Sequence, residues 1–366
     1  AFLGNAFLDT RIINLTNSLK EDGYIVSVIS FDWFSKKKYT NDEGIKVFKI
    51  NKGKFSPIFY LNFVLILLRE LLKKRADIYI AEDIYTLPLV SIIGRTRKAR
   101  VVFNSREIYS HIGGLSGRPF IQKLISAIEK VFIKRVDLVL TTGEMDSNFI
   151  EKKHNIGNTL VIRNLPVYRK PIAPIDFRKK HNLPNDQIIL LYQGVILKGR
   201  GIGRVIRVMK NLPQTVFIVL GEGEYKESYI KLAQEYGVED RIYFEGAYPQ
   251  SELINYTAGG DIGICIIENI SLSYYHALPN KLFEYIMAGL PVISSNLPQM
   301  KKIIDDYQVG EIVDIEKGEL IEVKIKQLIE NPKLFSEYKS NCETAAQKLN
   351  WQEEYANTKS KLLGIN

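Results

Sequence analysis

The sequence predicts an α/β protein with two domains, each built on a doubly wound, Rossmann-like parallel sheet. Its 366 residues exceed one ordinary domain of about 100–200 residues. Hydrophobic residues make up 46% and charged residues 25%, a composition that excludes a fibre, a disordered tail and a disulfide scaffold. Short β-branched runs also alternate with longer amphipathic segments along the whole chain, as they do in βαβ units.

The β-branched runs are predicted to be strands, and they fall into two groups. The first-half strands are Tyr24–Ser30, Ile78–Ala81, Arg100–Asn104 and Leu138–Thr142, and the second-half strands are Ile188–Gln193, Thr215–Leu220, Arg241–Phe244, Asp261–Ile267, Pro291–Ser295 and Glu311–Asp314. Two prolines and several polar residues interrupt the pattern between Val167 and Pro174, which predicts a linker near residue 170. Ligands of such sheets bind beyond the carboxyl ends of the strands, so we expect a site in the cleft between the domains.

The charge is unevenly divided along the chain. Up to Lys170 there are 28 Lys and Arg against 16 Asp and Glu, whereas the remainder has 22 against 25. The basic residues are scattered over predicted helices without a recognised binding motif, which argues against a nucleic-acid partner. The two cysteines, Cys265 and Cys342, indicate a reducing compartment, and Ala1–Asn5 lacks the features of a signal peptide. We therefore expect a cytoplasmic protein.

The most apolar stretch runs from Ile58 to Leu68 and is followed by the basic run Lys73–Arg75. It is too short to cross about 30 Å of hydrocarbon, which needs about 20 residues. One interpretation is a core helix of an α/β layer, and the other is a helix that rests on a membrane surface with its basic end.

The segment from His276 to Ser295 carries the strongest local signal for chemistry. Pro279 suits the first turn of a helix because its missing N–H needs no partner there. Free N–H groups around Ala277–Asn280 would form a phosphate cradle that the helix dipole assists. Lys281 adds a cation, and Glu284, one turn later, could accept both hydroxyls of a ribose. A capped amphipathic helix with a surface Lys and Glu is the alternative interpretation.

Three predicted strands of the second half end in glycine-bearing loops: Tyr192–Gly203, Val219–Gly223 and Asp240–Ala247. Glycine at strand ends permits close approach of the backbone to a nucleotide. A dehydrogenase fingerprint does not fit, because no G-x-G-x-x-G directly follows the first of these strands, and no P-loop motif is present.

In order, these segments resemble the nucleotide-sugar domain of family-4 glycosyltransferases of the GT-B fold. The resemblance extends more loosely to the first half, where Asp9–Arg11, Glu82–Pro88, Val102–Glu107 and Ile162–Pro166 are similar to the family's motifs. Trp351 and the segment after it resemble the helix that crosses back to the first domain. The implied domains are 1–168 and 169–349, with a helix at about 350–366 packed on the first.

The resemblance implies a retaining transfer of a sugar from a UDP- or GDP-linked donor to a glycan or lipid-linked acceptor in bacterial surface polysaccharide synthesis, without a metal or cofactor. Glu284 would hold the ribose, while Arg200 and Lys198 would neutralise the leaving diphosphate. The donor-binding residues would be Gly194, Gly221, Gly223, Gly246, Ala247, Tyr248, Ala277, Leu278, Pro279, Asn280, Lys281 and Glu284, and the acceptor-side residues Gly4, Asn5, Asp9, Glu82, Asp83, Arg106 and Glu107.

Three positions depart from the family pattern. His276 replaces the first Glu of the E-x7-E motif, which leaves the choice of donor sugar open. Arg106 stands at the position of a family histidine and could hold a donor carboxylate or an acceptor phosphate, or simply form an ion pair with Glu107 or a neighbour. Val195 replaces the family's usual arginine, which directly follows the glycine after the first strand of the second half. A sugar-nucleotide epimerase of the same architecture and a catalytically silent partner subunit stay open as alternatives.

The excess of basic residues lies in the half that the resemblance assigns to the acceptor. Each basic residue near an anionic leaflet contributes about 1 kcal/mol to membrane binding. Peripheral contact with the inner face of the membrane is therefore a specific expectation for this half.

Overall fold

The computed structural model describes residues 1–34, 44–51, 56–111, 117–317 and 319–365. The chain forms two compact units, one made of Ala1–Asn164 together with Glu354–Asn366, the other of Leu165–Glu353. All of the strand pairs recorded in both units are parallel. The predicted α/β class with parallel sheets is confirmed.

The first unit contains two groups of strands joined by the start of the chain. Its strands are β1 (Val28–Asp32), β2 (Ile45–Lys49), β3 (Ile78–Ala81), β4 (Arg100–Ser105), β5 (Leu138–Thr141) and β6 (Thr159–Val161). β1 pairs with β2, and β3 to β6 form a four-stranded sheet in that order. The nitrogen of Ala1 donates to Ile80 O at 2.7 Å, and the N–H of Phe2 donates to Ile29 O at 2.9 Å. These bonds link the opening residues to β3 on one side and to β1 on the other.

In the described part of this unit, six α-helices accompany the strands: α1 (Thr10–Glu21), α2 (Ser56–Lys73), α3 (Leu87–Thr96), α4 (Pro119–Phe132), α5 (Glu144–His154) and, near the end of the chain, α15 (Trp351–Leu363). From Glu354 onward α15 belongs to the first unit. The Glu354 carboxylate accepts three bonds from the Arg163 guanidinium, the shortest at 2.6 Å, and the Tyr355 hydroxyl donates to Asp22 at 2.8 Å.

The apolar stretch of the sequence lies within α2, and its two faces differ. Phe59, Phe63, Leu67 and Leu71 follow one another at four-residue spacing, and all are buried in the core of the first unit. The core-helix interpretation is thus confirmed for this face, while other apolar side chains of α2 are exposed. Among the helices that the structure describes, none has the length and apolar character needed to cross a bilayer.

The second unit is a six-stranded parallel sheet with the order β12-β11-β10-β7-β8-β9. The strands are β7 (Ile188–Gln193), β8 (Thr215–Leu220), β9 (Ile242–Gly246), β10 (Ile262–Cys265), β11 (Val292–Ser295) and β12 (Gly310–Val313). The helices are α6 (Phe177–Lys180), α7 (Ile202–Val208), α8 (Lys226–Tyr236), α9 (Gln250–Thr257), α10 (Leu272–Tyr275), α11 (Asn280–Met287), α12 (Pro298–Tyr307), α13 (Glu319–Glu330) and α14 (Pro332–Ala346). The central strands β7, β8 and β10 are almost wholly buried, as expected for a sheet covered on both faces.

The order of the strands reverses beside β7. The chain builds β8 and β9 on one side of β7 and then returns to place β10 on the other side. Loops that leave neighbouring strands in opposite directions open a crevice at the carboxyl edge, and ligands of doubly wound sheets bind at this switch point. In the second unit the crevice lies beyond Gln193 of β7 and Cys265 of β10.

Candidate functional site

The loop after β7 forms one wall of the candidate site. Gly194, Gly199 and Gly201 have positive φ angles of 126°, 79° and 78°, which favour glycine. Gly194 is exposed, and a Cβ built there would make only ordinary van der Waals contacts, the nearest at 3.7 Å from the Tyr192 hydroxyl oxygen. This backbone can therefore be approached closely from outside.

Gly221 and Gly223 are needed for a different reason from the one that the sequence suggested. A Cβ on Gly221 would lie 1.9 Å from Gly194 O, and a Cβ on Gly223 would lie 2.2 Å from Ile196 O. The close approach at these two positions comes from the protein's own β7–α7 loop. Gly221 and Gly223 therefore shape the loop that borders the site. Gly194 is the glycine that a nucleotide could approach closely.

Glu284 is held in place by two amide side chains. Gln193 Nε2, at the end of β7, donates to Oε2, and Gln250 Nε2, at the start of α9, donates to Oε1 at 2.8 Å. Gln193 is itself fixed by the Thr257 hydroxyl, which donates to its Oε1 at 2.7 Å. Burial raises the pKa of Glu284, although the bonds from Gln250 and Gln193 oppose the shift. A carboxylate offers about four acceptor positions, so Glu284 keeps capacity for further hydroxyl donors.

Lys281 is the other charged residue of α11, and it is buried, with only 6% of its surface exposed. Its Nζ lies 3.7 Å from the centre of the Tyr192 ring and has no hydrogen-bond partner among the described residues. A Cβ built on Gly194 would lie 4.0 Å from this Nζ, so the lysine nitrogen lies close to the exposed glycine. Burial lowers the pKa of Lys281 to about 7.

The start of α11 differs in part from the predicted phosphate cradle. Pro279 occupies the N-cap position just before the helix rather than its first turn, and Asn280 is the first helical residue. The N–H of Ala277 is not available for a ligand, because it donates to Tyr274 O at 3.0 Å. The N–H groups of Leu278 and Asn280 donate to no other residue in the described part of the chain. The cradle is therefore narrower than predicted.

The other predicted phosphate cations and the histidine differ in their surroundings. The Arg200 guanidinium lies 4.9 Å from the centre of the Tyr274 ring and is close enough to Lys281 to lower the pKa of that lysine further, after burial itself. Lys198, in contrast, is exposed. His276 is buried at 8% exposure, and its carbonyl accepts a bond from Gln299 Nε2 at 2.5 Å. Arg200 is thus the predicted cation placed beside Lys281.

The residues after β9 form an aromatic group at the rim of the same edge. Gly246 has a φ of 81°, and its carbonyl accepts from Gly221 N at 2.6 Å, while Ala247 is exposed. The Tyr248 ring stacks on Tyr256 with ring centres 3.6 Å apart, and its hydroxyl donates to Glu245 at 2.8 Å. Tyr248 is therefore fixed at this rim.

In the first unit, Arg106 joins two of the predicted acceptor-side carboxylates. Its Nη1 lies 2.5 Å from Asp9, and its Nη2 lies 2.6 Å from Glu82. Its guanidinium also lies 4.5 Å from the centre of the Phe2 ring. Burial alone would lower the pKa of Arg106, but the Glu82 and Asp9 carboxylates outweigh it and raise the pKa. Of the two interpretations, the structure supports the ion pair, and the recorded partners are Asp9 and Glu82.

The remaining acceptor-side residues support loops at the same sheet edge. Asn5 accepts from Phe7 N at 3.0 Å and caps the short helix Ala6–Leu8. Asp83 accepts from Leu3 N at 2.6 Å and from Thr86 N at 2.8 Å. Gly4 is buried and Glu107 is exposed.

Sequence reasoning missed the residues that orient the charged groups. Gln193, Gln250 and Thr257 position Glu284, and the Tyr192 ring supports Lys281. The Tyr285 hydroxyl accepts from Gln193 N at 2.9 Å and donates to Ile264 O at 3.2 Å, which ties β7 to β10. Gln193 and Tyr192 end a predicted strand, so their place at the carboxyl edge was a usable signal. Gln250 had none, because it lies on α9, far from Glu284 in the sequence.

Residues 175–349 match the family model described as "Glycosyl transferases group 1". The chain is 26% identical over 152 residues to the lipopolysaccharide core biosynthesis glycosyltransferase LpsE of Rhizobium meliloti (strain 1021), a match that covers 42% of each chain. The chain thus spans less than half of the length of the curated relatives it matches.

Two solved structures share the fold. The sucrose-phosphate synthase of Thermosynechococcus elongatus superimposes with a TM-score of 0.78 at 17% identity, over 97% of this chain and 93% of that one. Anabaena HepE, solved in complex with UDP-glucose, gives a TM-score of 0.69 at 15% identity, over 88% of this chain and 86% of that one. The expected GT-B fold class is confirmed by these likenesses, which at such identities concern the fold alone.

Proposed function

We propose, from the match of residues 175–349 to the group 1 glycosyl transferases, that the chain transfers a sugar from a UDP- or GDP-linked donor to a glycan or lipid-linked acceptor. The pathway is bacterial surface polysaccharide synthesis, the setting in which the relative LpsE is named. The HepE complex with UDP-glucose supports a nucleotide-sugar donor.

One observation carries the proposal: an oriented carboxylate and an unpaired buried cation occur together at the switch point of the second unit. Glu284 is oriented by Gln193 and Gln250. Lys281 Nζ lies close to the exposed Gly194 and has no hydrogen-bond partner among the described residues. A carboxylate suits the two hydroxyls of a ribose, and a cation suits a diphosphate. Both recognition elements of a nucleoside diphosphate are therefore supplied by one short helix.

The reaction builds negative charge on the departing diphosphate. Lys281 and Arg200 would stabilise that charge, assisted by the free N–H groups at the start of α11. The leaving phosphate would help to deprotonate the attacking hydroxyl on the same face of the sugar, so the configuration is retained. We propose that the reaction needs neither a protein nucleophile nor a metal or cofactor. Gly246, Ala247 and Tyr248 would border the base and the ribose.

The first unit would provide the acceptor side, through the sheet edge at which Asp9, Glu82 and Arg106 meet. Peripheral membrane contact by this unit is supported by α2 and α4. Apolar side chains are exposed on both helices, namely Ile58, Leu61, Leu65, Leu72, Phe120, Leu124 and Val131. Each helix has one acidic residue, Glu70 or Glu129, and both are buried in ion pairs with lysines. The exposed charges are therefore basic, which suits an anionic bilayer.

The donor assignment is tested by thermal unfolding with UDP, GDP and their sugars. Binding to the folded state raises the unfolding temperature. We expect a shift with one nucleotide class and its loss in Glu284→Ala, with affinity reduced about a hundredfold or more because charged hydrogen bonds are lost. Glu239→Ala, which removes an exposed carboxylate, is the matched control. No shift with any compound, or full binding by Glu284→Ala, would contradict the assignment.

The membrane contact is tested by sedimentation with lipid vesicles. We expect binding to anionic vesicles that weakens with added salt, and little binding to neutral ones. Combining Phe120→Ser with Leu124→Ser should weaken binding about a hundredfold or more, since each buried apolar side chain contributes roughly 1.5–3 kcal/mol. Val323→Ser is a close control, because Val323 lies on a helix of the second unit and is 53% exposed, as Leu124 is. Equal binding by both variants would remove the proposal.

A further inference from the structure

Lys281 presents a problem that the proposed function does not resolve. Its Nζ is buried, lies over the Tyr192 ring and lacks a hydrogen-bond partner among the described residues. A buried ammonium without a partner is strongly unfavourable, and such a group loses its proton when that costs less than keeping the charge. The geometry alone therefore favours a neutral amine in the ligand-free protein.

The charged and titratable groups around Lys281 do not compensate its charge by direct contact. Arg200, from the β7–α7 loop, opposes a second cation, whereas Cys265 of β10 and Glu284 of α11 favour one. Burial raises the pKa of Cys265 to about 12 and also raises the pKa of Tyr192. Neither of these groups supplies an anion at neutral pH. Glu284 is engaged with Gln193 and Gln250.

A bound diphosphate would change this balance. It would place oxygen acceptors and negative charge beside Nζ, which favours the ammonium. Arg200 is a permanent cation and needs no such change. The site would thus contain one fixed cation and one cation that exists only when an anion is present.

We propose that donor binding by this chain is coupled to the uptake of one proton from solvent by Lys281 Nζ, and that the proton is released when the nucleotide leaves. This inference rests on the proposed function, because it requires the diphosphate to bind beside α11. The burial that lowers the pKa of Lys281 to about 7 sets the pH window. Below about pH 7 the lysine is already protonated and affinity is constant. Above it, affinity falls by up to about tenfold for each pH unit.

The test is calorimetric titration of a nucleotide sugar in buffers with different protonation enthalpies. A nucleotide sugar is preferred to a free nucleotide, whose terminal phosphate exchanges its own proton near pH 6. The dependence of the binding heat on the buffer gives the number of protons taken up. We expect a value approaching one at about pH 8 and a value near zero at about pH 6.

Three variants identify the group. Lys281→Arg keeps a cation that cannot lose its proton, so it should bind the donor without proton uptake. Lys281→Met should also take up no proton and should bind roughly ten- to a hundredfold more weakly. Lys301→Met, which removes an exposed lysine paired with Asp305, should behave as the wild type. Melting temperatures without ligand check that each variant is folded.

The outcomes separate the two proposals. Normal donor binding with no proton uptake in the wild type overturns the proton-coupling inference and leaves the proposed function standing. Proton uptake that persists in Lys281→Arg also overturns it, since Glu284 or another group would then be responsible. Absence of binding by every nucleotide sugar overturns the proposed function, and this inference with it.

Discussion

The two units both bring cations to the carboxyl edge of a parallel sheet, but they treat them differently. In the first unit the Arg106 guanidinium lies between Asp9 and Glu82, so the protein supplies its counter-charges. In the second unit Lys281 and Arg200 contact the rings of Tyr192 and Tyr274. An aromatic ring supports a cation without neutralising it. The difference suggests that Arg106 serves the architecture of its unit, while Lys281 and Arg200 are kept for an anion.

Net charge would have suggested the opposite assignment. Residues up to Lys170 carry 28 basic against 16 acidic side chains, and the remainder carries 22 against 25. On net charge alone, an anion site would be expected in the basic part. The described contacts place unneutralised cations in the acidic part, because local pairing and not net charge decides which cation is available.

The largest expected effect comes from replacing Arg106 and Arg200, each in turn, by methionine. Arg106→Met leaves the carboxylates of Asp9 and Glu82 partly buried without their cation, and we expect the free energy of unfolding to fall by about 3–5 kcal/mol. Arg200→Met breaks no ion pair recorded among the described residues, so its stability should change by less than about 1 kcal/mol, while nucleotide affinity falls. Urea unfolding and nucleotide titration of both variants measure this contrast.

Either of two results would break the comparison of the arginines. If Arg106→Met were as stable as the wild type, its ion pairs would not support the first unit. If Arg200→Met bound the nucleotide with full affinity, the ring-supported cation would not serve the donor. Lys226→Met, which removes another cation of the second unit at a solvent-exposed pair with Glu222, controls for a change in net charge.

A second contrast concerns the glycines that shape the two sheet edges. An alanine at Gly221 would bring its Cβ within 1.9 Å of the backbone oxygen of Gly194, at a φ of 148° that side chains rarely adopt. An alanine at Gly4 would meet only the ring of Phe2, at 2.4 Å, and a side chain can move. We expect Gly221→Ala to lower the free energy of unfolding by about 2–4 kcal/mol and Gly4→Ala by about 1 kcal/mol, as measured in urea. Equal effects would show that both edges adapt alike.

The fold was largely predictable because buried parallel strands appear in the sequence as continuous runs of β-branched and other apolar residues. β7, β8 and β3 begin and end where the sequence predicts. β2 and β6 were missed for physical reasons. β2 (Ile45–Lys49) places lysines within an edge strand that is only partly buried, and β6 (Thr159–Val161) is three residues long. Neither produces a run long or apolar enough to be distinguished from a loop.

The site was predictable where chemistry and position coincide on one short segment. The sequence indicated Lys281 and Glu284 as candidates because both follow Pro279 on one predicted helix. The partners of Glu284 were not, since Gln250 and Gln193 are far apart in sequence and meet only in the folded unit. The same is true of Arg106, whose pairing with Asp9 and Glu82 depends on the arrangement of strands. Hydrogen-bond partners are a property of tertiary structure, and spacing does not encode them.

The smallest predicted effect tests whether Lys281 is unpaired in the ligand-free protein. Its pKa is lowered to about 7 in the folded state from an ordinary value of 10.5. Between these pH values the unfolded chain binds a proton that the folded chain does not, so the stability of the wild type rises with pH. The cost of the buried charge is therefore fully present below about pH 7 and disappears as the pH approaches 10.5. Lys281→Met removes the charge and should raise the free energy of unfolding by about 1–3 kcal/mol at about pH 6.

That advantage should shrink at about pH 9, where most of the wild-type cost is already gone, and urea unfolding at the two pH values measures it. Lys301→Met should show no such change with pH, because Lys301 is half exposed beside Asp305. A variant Lys281→Met that is less stable than the wild type at about pH 6 would mean that the ammonium has a partner within the protein. The second unit would then neutralise its own cation as the first unit does, and the contrast between the two sheet edges would be lost.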